Sequence, residues 1–304
     1  MKRPQGDLPV TRRMTIGPAR PTLSGVGASV IDSRADSPYG HVCWSYDDPA
    51  EFDHRARRFL AEGLAAGERV WYVVPGRPEP VVERLAGLVE FSDALRRGAA
   101  QVVGLDVTYP GDVIDPEEQV RRYTAATEAA LAAGYTGLRV VAEATSLVRT
   151  PAQLAAFARY EHVIDRYMRV RPLSAMCAYH RPELGDRTVA DLACLHPVSN
   201  VPDVLFRLYA CHPGDGAAAL AGELDTFNHE MFATALEHAD LNPVDGELVV
   251  RAGELRFIDH NCLARLHDYA GGRDATAVLR TPWTAAARLV EMLGLSGIRV
   301  EAAR

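Results

Sequence analysis

Two sets of residues in this 304-residue chain have the types and spacing to do chemistry. The first is local. "LRFIDHNCLARL", residues 255–266, reads as an apolar strand end running into Asp259, which sits as a helix N-cap ahead of a Leu263/Leu266 stripe. A helix N-terminus stabilises negative charge, so a hydroxyl at such a junction would make a phosphate acceptor. His260 and Asn261 stand there instead, and neither takes a phosphoryl group from a kinase built for Ser or Thr. The second set is dispersed: His41-x-Cys43, Cys177-x-x-His180 and Cys194-x-His196, with Tyr46, Asp47 and Glu143 at expected strand ends. Three readings of it stand side by side: ordinary core residues, contacts to a small organic effector, or ligands of a metal or other thiol-dependent cofactor. The paired C-x-x-C or H-x-x-x-H elements usual in structural zinc sites are absent. The expected site is therefore a ligand-binding crevice using His41, Cys43, Tyr46, Glu143, Cys177 and His180, with no metal and no cofactor.

Several chemistries are excluded by what is missing. The turn after the first expected strand reads "YDDPAEF", with no glycine, no lysine and two aspartates where a phosphate loop would need backbone N–H groups and a cation. No G-x-S-x-G elbow, H-E-x-x-H or C-x-x-C occurs, so no catalytic residue is nominated and the chain is not expected to be an enzyme. A net charge of -7 gives no general field for nucleic acid. No uninterrupted apolar run approaches membrane-spanning length, and the basic start lacks the apolar core of a signal peptide. Five scattered cysteines without an export signal read as reduced thiols, which gives a cytoplasmic expectation.

These residues need a scaffold, and the apolar rhythm supplies one. Strands are expected at 41–46, 69–75, 100–107, 137–145 and 173–179, separated by helices at 50–66, 79–97, 116–133 and 151–168. Strands apolar throughout and alternating with helices argue for a parallel sheet covered on both faces. Gly67, Gly98 and Gly134 fall where helix C-caps are expected. A short helix at 187–194 precedes "HPVSNVPDV", a turn-rich boundary around Pro202. Beyond it come strands at 205–211, 217–224, 247–251 with 254–258, 275–281 and 298–302, and helices at 227–239, 260–270 and 283–293. The organisation expected is a flexible tail over 1–34, a domain over 35–200 and a second over 203–304, each folding on its own.

Both domains resemble known families. "LAGELDTF", with Gly222, Glu223, Leu224 and Asp225, followed by Phe257-Ile258-Asp259-His260-Asn261-Cys262-Leu263, resembles the STAS domain of anti-sigma factor antagonists. The resemblance implies a smaller β/α domain and a protein partner, a kinase-like anti-sigma factor, contacted through Asp225, Asp259, His260, Asn261 and Cys262. Members switched by phosphorylation carry Ser or Thr at the positions of His260 or Asn261, so the corner is expected to bind without that switch. "HVCWSYDDPAEF", "FLAEGLAAGERVWYVV", "LRVVAEAT" and "CAYHR" resemble the MEDS sensory domain of methanogen and methylotroph regulators. That resemblance implies a RecA-like parallel sheet, an unknown small-molecule effector, and His41 with Cys43 as a recurring pair. The expected protein is a cytoplasmic signalling regulator of α/β class. The alternatives are a stressosome-like scaffold component, or a small-molecule-binding protein with no sigma-factor role.

Overall fold

The computed structural model describes residues 40–303; the expected tail lies outside the described residues. The first half runs β1 His41–Tyr46, α1 Pro49–Ala65, β2 Arg69–Val74, α2 Glu79–Ala86, α3 Val89–Arg96, β3 Ala100–Gly104, α4 Leu105–Thr108, α5 Pro116–Ala132, β4 Leu138–Glu143, α6 Pro151–Met168, β5 Leu173–His180 and α7 Arg181–Ala193. A short β6, Val198–Ser199, completes a sheet of order β3-β2-β4-β5-β1-β6. Every pairing in it is parallel. Side chains alternate faces along each strand, so Tyr72 and Val74 pack under α1, α2 and α3 while Val73 meets the opposite layer of α5, α6 and α7.

The helix that matters most for the site is α6. Thr150 accepts from Gln153 N–H while the Gln153 side chain accepts from Thr150 N–H, a capping box with Pro151 at the first helical position. Those signals fix the start, and the expected 151–168 span is the observed one. Gly67, Gly98 and Gly134 have φ of 78°, 72° and 88°, the left-handed conformation that favours glycine where a helix ends.

Four departures from the sequence reading change an element's extent or number, while other ends shift by one or two residues. The helix expected over 79–97 is two helices, α2 and α3, which meet around Gly87 and Leu88. The strand expected to reach residue 107 stops at Gly104, whose carbonyl accepts from the Thr108 hydroxyl at 3.1 Å as the chain coils into α4. The helix expected from 187 begins at Arg181 and kinks at Gly185, where φ is 80°. The strands at 247–251 and 254–258 form one twelve-residue strand, which itself carries the extra residue at each of two register shifts against its partner.

The second half runs β7 Phe206–Tyr209, β8 Ala218–Leu224, α8 His229–Ala239, β9 Glu247–Ile258, α9 His260–Gly271, β10 Thr276–Arg280, α10 Ala285–Leu293 and β11 Ile298–Glu301. Its sheet order is β11-β10-β9-β8-β7, parallel except for β7 against β8. Gly222 makes this arrangement possible: φ is +92°, and a Cβ there would lie 2.1 Å from the Leu205 carbonyl oxygen. The protein is thus mixed α/β, a six-stranded parallel sheet followed by a smaller mixed one.

One apolar interior joins the halves. Phe206, Leu208, Phe232 and Leu236 belong to the same cluster as Ile164, Val189, Leu192 and Leu195, and α8 packs on α6 and α7. Leu208 N–H donates to Cys194 O at 2.7 Å, and Ala210 N–H to Asp165 Oδ2 at 2.8 Å. The expectation of two separately folding halves meets a shared core at this seam.

Candidate functional site

In an open parallel sheet, ligands lie outside the carboxyl ends of strands where the connections switch faces. Here β1 and β2 lead to helices on one face, and β4 and β5 to helices on the other. The switch points are β1/β5, β2/β4 and, because β3 leads to α5 on the second face, β2/β3; one cleft opens at the first and another spans the other two. The β1/β5 cleft is lined by Tyr46, Asp47, Arg181 and Asn200. The second cleft is lined by Gly76, Asp106, Asp112, Ser146 and Gln153.

A polar knot stands beside the clefts. Tyr46 OH donates to Glu143 Oε1 at 3.0 Å, and Glu143 also accepts from the Thr145 hydroxyl. Thr145 Oγ1 in turn accepts from His180 N–H at 2.9 Å, and the Tyr46 and His180 rings lie 5.2 Å apart. Burial, then the neighbouring Glu143 carboxylate, pushes the Tyr46 phenol well above its ordinary value, so it stays a hydrogen-bond donor. Tyr46, Glu143 and His180 therefore lie together at the strand ends, beside the β1/β5 cleft. Asp47 is held outside by Arg181 at 2.8 Å. Asp48 caps α1 by accepting from Ala50 N–H at 2.8 Å, and Pro49 has no N–H to offer. The helix terminus that would cradle a phosphate is met by the chain's own carboxylates.

The other three predicted ligand residues lie deeper. His41 and Cys177 are buried on the α6 face, as is Cys43, paired in register with Cys177. Tyr179 points into this layer too. Two carboxylates that the sequence reading did not single out organise it: Glu161 and Asp165, one turn apart on α6 and both buried. His41 Nε2 lies 3.0 Å from Glu161 Oε2, and His41 Nδ1 3.4 Å from Asp165 Oδ1. Tyr179 OH donates to Glu161 Oε1 at 2.6 Å. Cys177 Sγ is 3.5 Å from Glu161 Oε2 and 3.7 Å from His41 Nε2. His196 Nδ1 donates to Leu192 O at 2.9 Å, which leaves Nε2 as a lone pair 3.6 Å from Glu161 Oε1 and without a hydrogen bond. Arg169 offsets Asp165 at 3.2 Å.

Burial alone would discharge His41, but Asp165 and then Glu161 outweigh it and raise the imidazole to about 9. Burial, reinforced by its cationic neighbour His41, holds His196 neutral, down to about 4. Glu161 stays ionised against its burial, because the cationic His41 and the Tyr179 hydroxyl favour the charged form. Burial and then Glu161 keep Cys177 a thiol. A signal for the missed pair was available. Phe157, Glu161, Ile164, Asp165 and Met168 recur at helical spacing on the buried stripe of α6, so the two acids interrupt an otherwise apolar face.

In the second half, Asp259 caps α9 by accepting from Cys262 N–H at 2.9 Å, as the sequence implied. The hydroxyl missing from 260 and 261 is supplied from across the corner: Thr226 donates to Asp259 Oδ2 at 3.0 Å. Asp225 Oδ1 accepts from Phe227 N–H at 2.9 Å and holds the preceding turn. His260 is exposed and Asn261 half-buried, whereas Cys262 is fully buried with Sγ facing Asp225 O. Cys262 supports the corner from beneath and offers nothing to its surface. Phe227, unremarked in the sequence, is 96% exposed beside Thr226.

A parallel sheet with polar clefts at its switch points is an architecture suited to holding small ligands. The family is more particular. The model described as "MEDS: MEthanogen/methylotroph, DcmR Sensory domain" matches residues 40–197, just over half of the chain, and the chain belongs to that family. The match ends before β6, so the second half lies beyond it. No curated protein matches the chain. Among the described residues, no helix is long and apolar enough to cross a membrane.

Proposed function

We propose that the chain is a signalling regulator in which the sensory half binds a small polar effector and the second half docks a protein, in the manner of an anti-sigma factor antagonist. The observation that carries the docking half is Phe227. A nearly fully exposed aromatic side chain costs hydrophobic free energy unless something covers it, and here it stands beside the Asp225–Thr226–Asp259 corner. The likeness of that corner to the STAS pattern favours a kinase-like anti-sigma factor as the partner. With no hydroxyl at 260 or 261, the corner binds without being turned off there. On the sensory side, the clefts beside the Tyr46–Glu143 pair offer donors and acceptors but no phosphate cradle, which favours a neutral or cationic effector and no catalysis. The working compartment in this reading is the cytoplasm.

Calorimetric titration of the full chain against the kinase-type anti-sigma factors encoded in its own genome tests this. Stoichiometric binding to one of them is expected, weakened roughly 30-fold by Phe227→Ala, the effect of losing an aromatic hot spot. Binding to none of them overturns the reading. Incubation with the kinase and ATP is expected to leave residues 260 and 261 unmodified and the complex intact.

A further inference from the structure

Four side chains from distant parts of the chain present donor atoms to one point in the interior: His41 from β1, Glu161 from α6, Cys177 from β5 and His196 just after α7. All four are buried, and their donor atoms lie within 4.8 Å of one another. In a tetrahedral site with bonds of about 2.0 to 2.3 Å, neighbouring ligand atoms sit roughly 3.3 to 3.8 Å apart. His41 Nε2, Cys177 Sγ and Glu161 Oε2 stand 3.0, 3.5 and 3.7 Å apart, His196 Nε2 is 3.6 Å from the other Glu161 oxygen, Oε1, and the remaining separations fall within 4.8 Å. We propose that this cluster binds a single borderline divalent metal ion, zinc foremost, through His41 Nε2, Glu161, Cys177 Sγ and His196 Nε2.

Three observations support the assignment beyond proximity. First, His196 is wholly buried, its Nδ1 proton is committed to Leu192 O, and its Nε2 lone pair points into the cluster without a hydrogen bond. Buried polar atoms are normally satisfied, and an orphan among three other donor groups calls for a ligand. Second, the groups behind three of the four donors are those that orient metal ligands. Asp165 Oδ1 stands behind His41 Nδ1, the Leu192 carbonyl behind His196 Nδ1, and Tyr179 OH on the Glu161 oxygen away from His41. Third, two imidazoles, a carboxylate and a thiolate match the softness of zinc and not of magnesium or calcium.

Binding displaces the Cys177 thiol proton and any proton on His41 Nε2, and the ion replaces their charge. With four protein donors the site is closed, which suits a structural or metal-sensing role and leaves no open position for a substrate. Sequence spacing argued against a metal because paired ligands are absent; the fold instead takes single ligands from separate elements. The inference requires neither the docking partner nor the polar effector.

The test uses the full chain, unfolded with a chelator and refolded with one equivalent of cobalt(II), so that slow entry into a buried site does not decide the result. One ion per chain is expected, with the thiolate-to-cobalt charge-transfer band and strong visible bands of a four-coordinate site. Zinc should abolish these bands stoichiometrically. Cys177→Ser should remove the charge-transfer band, and His196→Gln should weaken binding by at least about 100-fold. Cys194→Ser, outside the cluster, should change neither. A folded wild type that takes up no ion, or shows no thiolate band, overturns the proposal without reliance on any variant. Persistence of the band in Cys177→Ser overturns it as well.

Discussion

The buried cluster around Glu161 and the exposed corner around Asp259 use nearly the same residue types, an acid with histidine, cysteine and a hydroxyl close by, to opposite ends. In the cluster, Glu161 is solvent-free and every neighbouring charge is another protein group. In the corner, Asp259 is half-buried, His260 faces solvent, and the acid's two oxygens serve a helix N–H and one hydroxyl. Surroundings decide what a carboxylate is worth: in a dry interior its loss strands its partners, and at a wet surface water takes its place.

Substitutions can break that comparison, and the largest effect is expected inside. Glu161→Ala leaves the His41 charge and the Tyr179 hydroxyl buried without their acceptor, and should destabilise the protein by about 3–5 kcal/mol in denaturant titrations. A loss below about 1 kcal/mol would mean that the cluster is hydrated or rearranges freely.

The seam between the regions should respond to acid through His162, which is buried on α6 with the Ala217 backbone against it. Burial lowers its folded value from 6.5 to about 4, so the native state holds it neutral. The unfolded chain takes up the proton first as pH falls, so stability is full above about 6.5 and declines towards pH 4, by about 3 kcal/mol from this group. Unfolding midpoints at pH 7 and pH 5 should differ more for the wild type than for His162→Leu. Equal differences would remove His162 from the account.

At the corner the expected changes are smaller. Asp259→Ala should cost about 1 kcal/mol, the usual value of an N-cap, with α9 still formed. Smallest of all, Phe227→Ala should move stability by less than about 0.5 kcal/mol, because the ring touches little of its own protein. A large loss there would show that the ring is packed in the free chain.

The same contrast explains what could be read from the sequence. The corner is contiguous, so a strand end, a cap and a helical stripe within 255–266 suffice to place Asp259 as the N-cap. The parallel sheet was also legible, because five apolar runs alternate with capped helices. The cluster was not, since His41 lies 120 residues from Glu161 and 136 from Cys177, and only the β1–β5 pairing and the face of α6 bring them together. Residue type alone marks His41 and Cys177, whereas Glu161 and Asp165, acids on an amphipathic helix, carry no such mark. Phe227 escaped for the opposite reason: an aromatic residue near a helix start reads as core, and its exposure appears only in three dimensions.

Asp165 has a consequence for how such a protein can change over evolutionary time. One of its oxygens approaches His41 and the other accepts the backbone N–H of Ala210, the residue following β7. A single carboxylate therefore has obligations on both sides of the seam, and one of them is to a main-chain N–H that no substitution but proline removes. Recombination that exchanged the sensory half for another would have to bring an equivalent acid at that turn of α6, or leave Ala210 N–H without its acceptor. Lineages carrying this pair of sheets should thus inherit them as one unit, with variation gathering in the clefts and at the corner.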